Sequence, residues 1–431
     1  MASRMNLDTY KNTIRELSDR IVEAQRPIRI LDAVKWDASV QEGFFKNDFK
    51  KQPAIDKDYY QSVPLGFDPI TIRQTFHGIE RDITRNLGQF SPVGQIMLRT
   101  CREYQMVVRM LEARGTGEFA SISESLYGSA NDAFHAGDPT LADLAEMIGK
   151  TLSYIDRSLL IQSEPRTITA SQAVTILQER LAKAFNMFGT TVEVKLSDGI
   201  IADAAAGADY IKIRNEAMFN ERDLKMLEIH EGWVHVGTTL NGQSQPVCTF
   251  LSKGPPSSVI TQEGLAILME IFAFASYPAR LRRLTNRVKA ISLAENGATF
   301  IDVFNFFRDQ EFSEQESYAH ASRIYRGSTP TGRPFTKDLS YHKGFILVYN
   351  FIQLAVKKGK LDRIPLLFCG KTTLDDMRTL ARLVDEGLVI LPKFLPPQFA
   401  DLSALSAWMC YSNFLNHLSM ERIESDYANI F

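Results

Sequence analysis

Two histidines stand five residues apart in the run His230-Glu231-Gly232-Trp233-Val234-His235. On a regular α-helix of 3.6 residues per turn, that spacing turns their side chains about 140° apart, too far to bind one small ion together. A one-residue π-bulge would return both to one face, and such bulges are frequent at functional sites. Gly232 lowers the steric cost of the distortion because it has no Cβ. The spacing therefore predicts a bulged helix, or else no metal site at all.

A carboxylate that could complete the site follows at Glu263, in the run Thr-Gln-Glu-Gly-Leu-Ala. Catalytic zinc takes three protein ligands, imidazole or carboxylate among them, and keeps a fourth position for water. We therefore predict that His230, His235 and Glu263 bind one zinc ion per chain. Glu231, beside the first ligand, is the predicted general base acting on the metal-activated water. The pattern indicates a metal-dependent hydrolase, most simply a peptidase.

Local sequence supports a helix at the paired histidines. Asn220 with Asp223 three residues later is typical of a capping box, and an apolar face follows at helical spacing. Upstream, residues 210–214 alternate apolar and polar side chains, as a strand does. A strand that leads into a metal-binding helix is common in peptidases, since an open strand edge can hold an extended substrate.

The second motif lies on a largely apolar helix, predicted from Gln262 to about Phe274. Glu263 and Glu270 are seven residues apart and hence share one face of it. A carboxylate on an apolar helix is costly unless it is paired, protonated or bound to a cation. For Glu270 two interpretations stay open, namely that it orients a ligand histidine, or that it forms a buried pair with an arginine such as Arg280 or Arg283.

The paired runs HEGWVH and QEGLA carry a family resemblance. They resemble the bacterial proteins labelled flavohaemoglobin expression-modulating QEGLA-motif proteins, the DUF1704 group, which is similar to the eukaryotic microtubule-associated tyrosine carboxypeptidases. The latter remove a C-terminal tyrosine from tubulin. The resemblance extends over roughly residues 27–395, with further signatures at residues 30–37, 323–327 and 335–341.

Carried over to this sequence, the resemblance places the zinc ligands on His230, His235 and Glu263 and the catalytic glutamate on Glu231. It implies metallocarboxypeptidase chemistry on the C-terminus of a peptide or protein. Bacterial members need not share the tubulin substrate, and their name implies a regulatory phenotype that leaves the mechanism open.

A carboxypeptidase also needs a cation for the terminal carboxylate and a donor for the oxyanion. Arg323 and Arg326 are the first candidates for the carboxylate, followed by Lys337, because a guanidinium matches a carboxylate in two hydrogen bonds. Tyr325 and Tyr341 are the candidate oxyanion donors. The alternative is that the arginines pair with acidic surface residues and that Tyr341 is an anchored core aromatic. For His320 and His342 the alternatives are a role behind a metal ligand or at the substrate, and a place at the surface, which is the preferred interpretation.

Composition is ordinary for a soluble globular protein, with 45% hydrophobic and 23% charged residues among 431. A net charge of −2 argues against general nucleic-acid binding. The N-terminal residues lack the apolar core of a signal peptide, and no apolar run approaches the roughly 20 residues that span a bilayer. The four scattered cysteines form no CxxC pair and indicate a reducing compartment. We expect a cytoplasmic protein without nucleic-acid or membrane partners.

Along the chain, helical patterns dominate and alternating patterns are short. The predicted fold class is α+β, a small sheet flanked by many helices, with a zincin-like catalytic core built on the HExxxH helix. Strands are predicted at residues 190–196 and 210–214, with a third at Ile364 to Cys369. The Glu-Pro-Arg run at 164–166 breaks the periodic pattern. It predicts an N-terminal helical lobe over residues 1–165 and a metallopeptidase-like catalytic lobe over residues 166–431.

Two other functions remain open at this stage. A small-amide hydrolase would use the same metal, base and water, and would differ in the size of its pocket. A non-catalytic regulator of flavohaemoglobin expression would hold a structural zinc, but structural sites are usually closed by four ligands and are often cysteine-rich. Only Cys248 lies between the two motifs, and a glutamate beside the first histidine has no structural purpose. The enzyme interpretation is therefore preferred.

Overall fold

The computed structural model describes residues 7–155, 165–186, 189–200 and 202–427. Helices make up most of the described chain, and its strands form one three-stranded sheet and one two-stranded sheet. The predicted helix-dominated α+β class with a small sheet is therefore confirmed. No helix among the described residues is both long enough and apolar enough to cross a membrane.

The N-terminal part is helical throughout. Its α-helices are α1 (Leu7–Gln25), α2 (Ile30–Ala33), α3 (Ala38–Lys46), α4 (Lys57–Ser62), α5 (Pro69–Leu87), α6 (Pro92–Glu112), α7 (Gly117–Tyr127) and α8 (Leu141–Tyr154). Proline at the first helical position starts α5 and α6, where the missing N–H has no helical partner to lose. Asp68 and Ser91 cap these two helices through their side chains.

The C-terminal part carries the sheet and the remaining helices. These α-helices are α9 (Ala170–Phe185), α10 (Glu221–Leu227), α11 (Gly237–Gln243), α12 (Pro256–Phe272), α13 (Pro278–Glu295), α14 (Phe300–Asp309), α15 (Glu314–Tyr325), α16 (Ser340–Lys357), α17 (Met377–Asp385), α18 (Pro397–Ala400), α19 (Leu402–Leu415) and α20 (Met420–Tyr427). A π-helix joins α10 to α11 over Glu228–Val236, and short 3-10 helices lie at Thr249–Ser252, Thr336–Leu339, Leu361–Phe368 and Leu374–Asp376.

The larger sheet has the strand order β2-β4-β3. Its strands are β2 (Glu193–Ser197), β3 (Ala204–Ala206) and β4 (Tyr210–Arg214), while β1 (Ile168–Thr169) pairs with β5 (Met218–Phe219). The predicted strands near residues 190–196 and 210–214 are confirmed, and they pair in parallel. Ile211 and Ile213 of β4 are fully buried, which fixes the face that the central strand turns to the core.

The third predicted strand, at Ile364 to Cys369, is wrong. That segment belongs to a 3-10 helix over Leu361–Phe368 with Pro365 inside it. Proline cannot donate a hydrogen bond to a neighbouring strand, so this apolar run is buried without joining the sheet. The third strand is instead β3, whose three alanines give no alternating pattern to recognise.

The hydrophobic core joins the two predicted lobes through direct contacts. One cluster of buried side chains runs from Ile14 to Met409 and so includes residues from both segments. The backbone N–H of Phe250 donates to Ser18 Oγ at 2.7 Å. The division at residue 165 stays a prediction, because residues 156–164 lie outside the described part of the chain.

Two helices cross at backbone contact beside the second motif. A Cβ at Gly264 of α12 would lie 2.0 Å from the carbonyl carbon of Gly344 on α16, and a Cβ at Gly344 would lie 1.9 Å from the carbonyl oxygen of Ile260. Only glycine at both positions permits this approach. The crossing sets Glu263, one residue before Gly264, against the start of α16.

Candidate metal centre

The helix that carries the paired histidines is distorted, as their spacing requires. Helix α10 begins at the reciprocal capping box of Asn220 and Asp223 and continues into the π-helix over Glu228–Val236. Because π-helical hydrogen bonds join residues five apart, His230 and His235 come to one face. The predicted distortion is confirmed, and it extends over nine residues rather than a single bulge. A Cβ at Gly232 would also lie 2.5 Å from Leu181 Cδ2, which adds a packing reason for glycine.

Three ligand atoms converge at this face. His230, His235 and Glu263 each offer a ligand atom, and these atoms lie within 4.8 Å of one another. Glu263 Oε2 is 3.5 Å from Nε2 of both histidines. Ligands about 2.0–2.2 Å from a tetrahedral zinc stand roughly 3.3–3.5 Å apart, so the two distances from Glu263 fit such an ion. Glu263 Oε2 is also buried without a hydrogen-bond partner among the described residues, as expected of an oxygen that binds a cation.

Buried carboxylates surround His230 and favour positive charge there. Burial by itself lowers the pKa of His230, but the carboxylates of Glu263, Glu270 and Glu231 outweigh it and raise the pKa to about 10. Burial likewise raises the pKa of Glu263, while Lys337 and the two histidines hold it well below its usual value. A site that stabilises a proton so strongly would also stabilise a divalent cation in its place.

Glu270 satisfies both of the interpretations left open by the sequence. Its Oε1 is 2.7 Å from His230 Nδ1 and accepts from Arg280 Nη2 at 3.1 Å. Glu270 is fully buried, and Arg280 with His230 lowers its pKa to about 2 although burial acts in the opposite direction. With Nδ1 held by Glu270, the Nε2 atom of His230 is directed at the candidate metal position.

Glu231 is held between the π-helix and the small sheet. Its Oε2 accepts from the backbone N–H of Ala206 in β3 at 2.9 Å, while its Oε1 lies 4.0 Å from His230 Nε2. Since β3 is an edge strand, the N–H groups that alternate away from β4 point towards this carboxylate. One oxygen is thus fixed and the other faces the candidate metal position.

Gln262 of the QEGLA run forms hydrogen bonds through its side-chain oxygen. Gln262 Oε1 accepts from Thr238 Oγ1 at 2.7 Å and from Lys371 Nζ at 3.1 Å, which ties α12 to the end of the π-helix. Lys371 Nζ also donates to the backbone carbonyl of His235 at 2.8 Å. Burial lowers the pKa of Lys371 to about 7, partly offset by Glu263 and Glu231. No pattern in the sequence indicated Lys371, which stands alone more than 100 positions after the motif.

A cavity of about 290 Å³ opens beside the ligands, and His230, Glu231, Tyr341 and Arg323 are among the residues that line it. The ring centre of Tyr341 lies 6.4 Å from that of His230. Burial, together with Glu263 and Asp338, raises the pKa of Tyr341 well above its usual value, so its hydroxyl stays protonated. Arg323 donates to both oxygens of Asp338, at 2.9 and 3.1 Å, so it has an acidic partner as the alternative anticipated, but that partner is buried and not at the surface.

Three other candidates do not line this cavity. Tyr325 is fully buried in the second hydrophobic cluster, and its hydroxyl donates to the carbonyl of Ala298. Arg326 lines a separate cavity of about 110 Å³ beside Trp36, with its guanidinium over the ring of Phe335. Lys337 Nζ lies 3.5 Å from Glu263 Oε1, where it neutralises a candidate ligand. Tyr325 and Arg326 are neighbours in sequence, but the end of α15 turns their side chains to different surroundings, and Lys337 lies on the separate 3-10 helix Thr336–Leu339.

His320 and His342 are not surface histidines, which corrects the interpretation from sequence. They are only 9% and 8% exposed, respectively. Neither ring nitrogen of His342 has a hydrogen-bond partner within the described chain. Burial, with Arg287 nearby, lowers the pKa of His342 to about 4, and burial lowers that of His320 well below its usual value. Both imidazoles are therefore neutral at physiological pH.

The buried neutral imidazole of His342 makes the stability depend on pH. In the unfolded chain its pKa returns to the ordinary value of 6.5, so between pH 6.5 and about 4 the unfolded state binds the extra proton. We expect His342 to lower the free energy of unfolding by up to about 1.4 kcal/mol per pH unit as the pH falls through that range. Urea unfolding at pH 7.5 and pH 5 measures the loss, which His342→Gln should reduce. The exposed His77 provides the control, because His77→Gln should leave the loss unchanged. Equal pH dependence in wild type and His342→Gln would show that folding does not lower the pKa of this imidazole.

Two imidazoles and a carboxylate that converge beside a cavity, with a further carboxylate at its wall, are typical of metal-dependent hydrolases. Comparison with family models then identifies the chain more closely. The model of the microtubule-associated tyrosine carboxypeptidase family matches residues 42–417. The chain belongs to that family.

Other comparisons add little to this identification. The search of curated proteins finds no match. Among solved structures, the chain is similar to Trypanosoma cruzi metallocarboxypeptidase 1, with 11% sequence identity and a TM-score of 0.41. The similarity covers 90% of this chain and 97% of that one.

Proposed function

We propose that this protein is a zinc-dependent metallocarboxypeptidase that releases a C-terminal residue from a peptide or protein. The observation that carries the proposal is the convergence of His230, His235 and Glu263 on one point beside a cavity that Glu231 lines. Membership of a carboxypeptidase family supports the reaction class. Imidazole and carboxylate donors in this number are those that catalytic zinc takes.

The side chains around the site divide the chemistry of amide hydrolysis between them. When bound, zinc supplies Lewis acidity to the water and to the scissile carbonyl. Glu231, fixed by Ala206 through one oxygen, takes the proton of the attacking water on the other and returns it to the leaving amine. Tyr341, protonated and at the cavity wall, donates a hydrogen bond to the oxyanion.

The edge strand β3 provides a place for the substrate backbone. Ala206 already donates towards Glu231, and Ala204 faces the same edge of β3 and lines the cavity. An extended peptide that adds to a sheet edge forms main-chain hydrogen bonds without regard to sequence. Bound in this way, its C-terminal amide bond would lie over Glu231.

The two alternative functions receive less support. A small-amide hydrolase needs no edge strand beside its metal. A regulator with structural zinc would be expected to have a fourth protein ligand, whereas the cluster found among the described residues has three members. Glu231 would also have no role in a structural site.

Cleavage of a peptide library tests the proposed reaction. The zinc-loaded protein is incubated with a mixed library of free-acid peptides, and the products are identified by mass spectrometry. We expect peptides shortened by one residue at the C-terminus, and no products after zinc is removed with a chelator. Internal fragments would indicate an endopeptidase, and no cleavage of any peptide would contradict the proposed reaction.

Metal content tests the ligand assignment independently of activity. We expect one zinc per purified wild-type chain and none in the double variant His230→Ala, His235→Ala, because a single remaining carboxylate binds zinc weakly. The zinc content is measured by inductively coupled plasma mass spectrometry, and circular dichroism confirms that each variant is folded. His77→Ala is the control, since this exposed histidine lies on α5 and should leave the zinc content unchanged. A folded double variant with full zinc content would exclude these ligands.

A further inference from the structure

Arginines dominate the wall of the active-site cavity. Six of them line it, against four carboxylates, and most have an acidic partner. Arg280 binds Glu270, Arg323 binds Asp338, Arg166 binds Asp223, and Arg214 binds Asp203. The charge of these four is compensated within the protein, so they offer little to a substrate anion.

Arg287 differs from these four because it has no carboxylate of its own. Its side chain is 11% exposed, and its Nε atom has no hydrogen-bond partner among the described residues. The nearest carboxylate oxygen, Oδ2 of Asp338, is 3.8 Å away, and both oxygens of Asp338 already accept from Arg323. Burial and the charge of Arg323 lower the pKa of Arg287 to about 10, so it remains a cation at neutral pH. A buried, incompletely paired guanidinium at a cavity wall is costly unless a ligand supplies the anion.

Arg283 lies on the same helix and likewise has no carboxylate partner among the ion pairs of the described residues. It lines the cavity, and its guanidinium donates to the hydroxyl of Tyr277 at 2.8 Å, a neutral partner. Arg283 and Arg287 are four residues apart on α13 and therefore share a face. Two guanidinium groups on one face can together bind one carboxylate, each through charge-assisted hydrogen bonds.

The position of Arg287 relative to the candidate metal suits the end of a peptide chain. Its guanidinium carbon lies 5.7 Å from the ring centre of Tyr341, which is 6.4 Å from the ring centre of His230. Tyr341 is therefore a neighbour of both groups, and a terminal residue of about 3.3–3.6 Å that lies along its ring would carry its carboxylate from the candidate metal position towards Arg287. Since Arg287 is buried among helices, a chain that reaches it has little room to continue.

We propose that Arg287, assisted by Arg283, binds the terminal carboxylate of the substrate and so restricts cleavage to the last amide bond. This assignment rests on the proposed carboxypeptidase function. It replaces Arg323 and Arg326, of which the first is paired with Asp338 and the second lies outside the cavity. Because both oxygens of Asp338 accept hydrogen bonds from Arg323, the guanidinium of Arg287 can bind a substrate carboxylate.

Binding to an inactive protein tests the assignment without turnover. Zinc-loaded Glu231→Gln protein is titrated with fluorescein-labelled peptide pools that are identical except for a free or an amidated C-terminus. We expect the free-acid pool to bind about 10- to 100-fold more tightly, as for hydrogen bonds between charged groups. Adding Arg287→Gln should remove most of this preference, leaving the smaller part that Arg283 contributes, and should leave the affinity for the amidated pool unchanged. Arg287→Lys, which keeps the positive charge, should retain part of the preference for the free-acid pool.

Arg282→Gln is the matched control, because Arg282 lies on the same helix but lines a different cavity. It should retain the full preference for free-acid peptides. Zinc content and thermal unfolding of each variant establish that the site and fold are intact. The wild-type chain provides a measurement that needs no variant, since its kcat/KM should be about 10- to 100-fold higher for free-acid than for amidated peptides.

The outcomes separate this assignment from the proposed reaction. Equal binding of both pools, or an undiminished preference in folded Arg287→Gln, would overturn the role of Arg287 even if peptides are cleaved. A preference that Arg287→Gln removes, in a protein that cleaves no peptide, would support the role and contradict the proposed hydrolysis. A third pool, amidated but ending in glutamate, distinguishes an acidic side chain from the terminal carboxylate. Loss of binding to that pool alone in Arg287→Gln would overturn the assignment to the terminus.

Discussion

Replacing Glu231 with glutamine is expected to lower turnover of a susceptible peptide by about 10²–10⁴-fold while zinc stays bound. Glutamine keeps the shape of the side chain, and its amide oxygen can still accept from the Ala206 N–H, but it cannot take a proton from water. The three candidate ligands are unchanged, so the metal content should remain at one zinc per chain. Initial rates with a peptide identified from the library, together with zinc analysis, measure both effects.

Glu228→Gln is the matched control for this prediction. Glu228 opens the same π-helix, is about one-quarter exposed, and its nearest ion-pair contact is Arg180 at 3.9 Å. Its replacement removes one negative charge from the same helix at a position outside the cavity wall, so turnover should change little. A Glu231→Gln protein with the wild-type rate would show that another group accepts the proton.

Replacing Gly264 with alanine is expected to destabilise the fold by about 3 kcal/mol or more. Overpacking of a core typically costs about 1–3 kcal/mol when side chains can shift. Here the added methyl group would meet the backbone of Gly344 at 2.0 Å, which no rotamer change relieves. Helices α12 and α16 would have to separate, and Glu263, next in the chain, would move from the histidines. Zinc affinity should therefore fall together with the free energy of unfolding, measured by urea denaturation.

Gly78→Ala provides the comparison for this substitution. Gly78 also lies inside a helix, α5, but a Cβ there meets no atom within 4 Å. Alanine is favoured over glycine in a helix by up to about 1 kcal/mol, so this variant should be slightly more stable than wild type. If Gly264→Ala were as stable as Gly78→Ala, the close crossing of α12 and α16 would be contradicted.

The sequence predicted those parts of the site that depend on neighbours along one helix. The five-residue spacing of His230 and His235 required a distorted helix, and the π-helix over Glu228–Val236 supplies it. The capping box at Asn220 was recognisable because its two partners are three residues apart. Glu263 lies on a different helix from the histidines, so its prediction as the third ligand depended on donor chemistry and on the family resemblance.

Interpretations that depended on long-range packing were less successful. His320 and His342 were placed at the surface, although both are buried. The apolar run at Ile364 to Cys369 was assigned to a strand because apolar content does not distinguish a buried strand from a buried turn of helix. Tyr325 and Arg326 followed Arg323 in sequence, but they point into the second core and a separate cavity.

The sequence by itself determined the candidate histidine donors, the distortion of the helix that presents them and the helix-dominated class, because each follows from residue chemistry and spacing within a few helical turns. The tertiary structure decided which of the buried arginines has a carboxylate partner and which can bind a substrate anion. Arg323 and Arg287 are indistinguishable as arginines in the sequence, and their difference arises because Asp338 accepts both hydrogen bonds of one and lies 3.8 Å from the other. Whether a buried charge is paired depends on side chains from separate helices, and only folding brings them together.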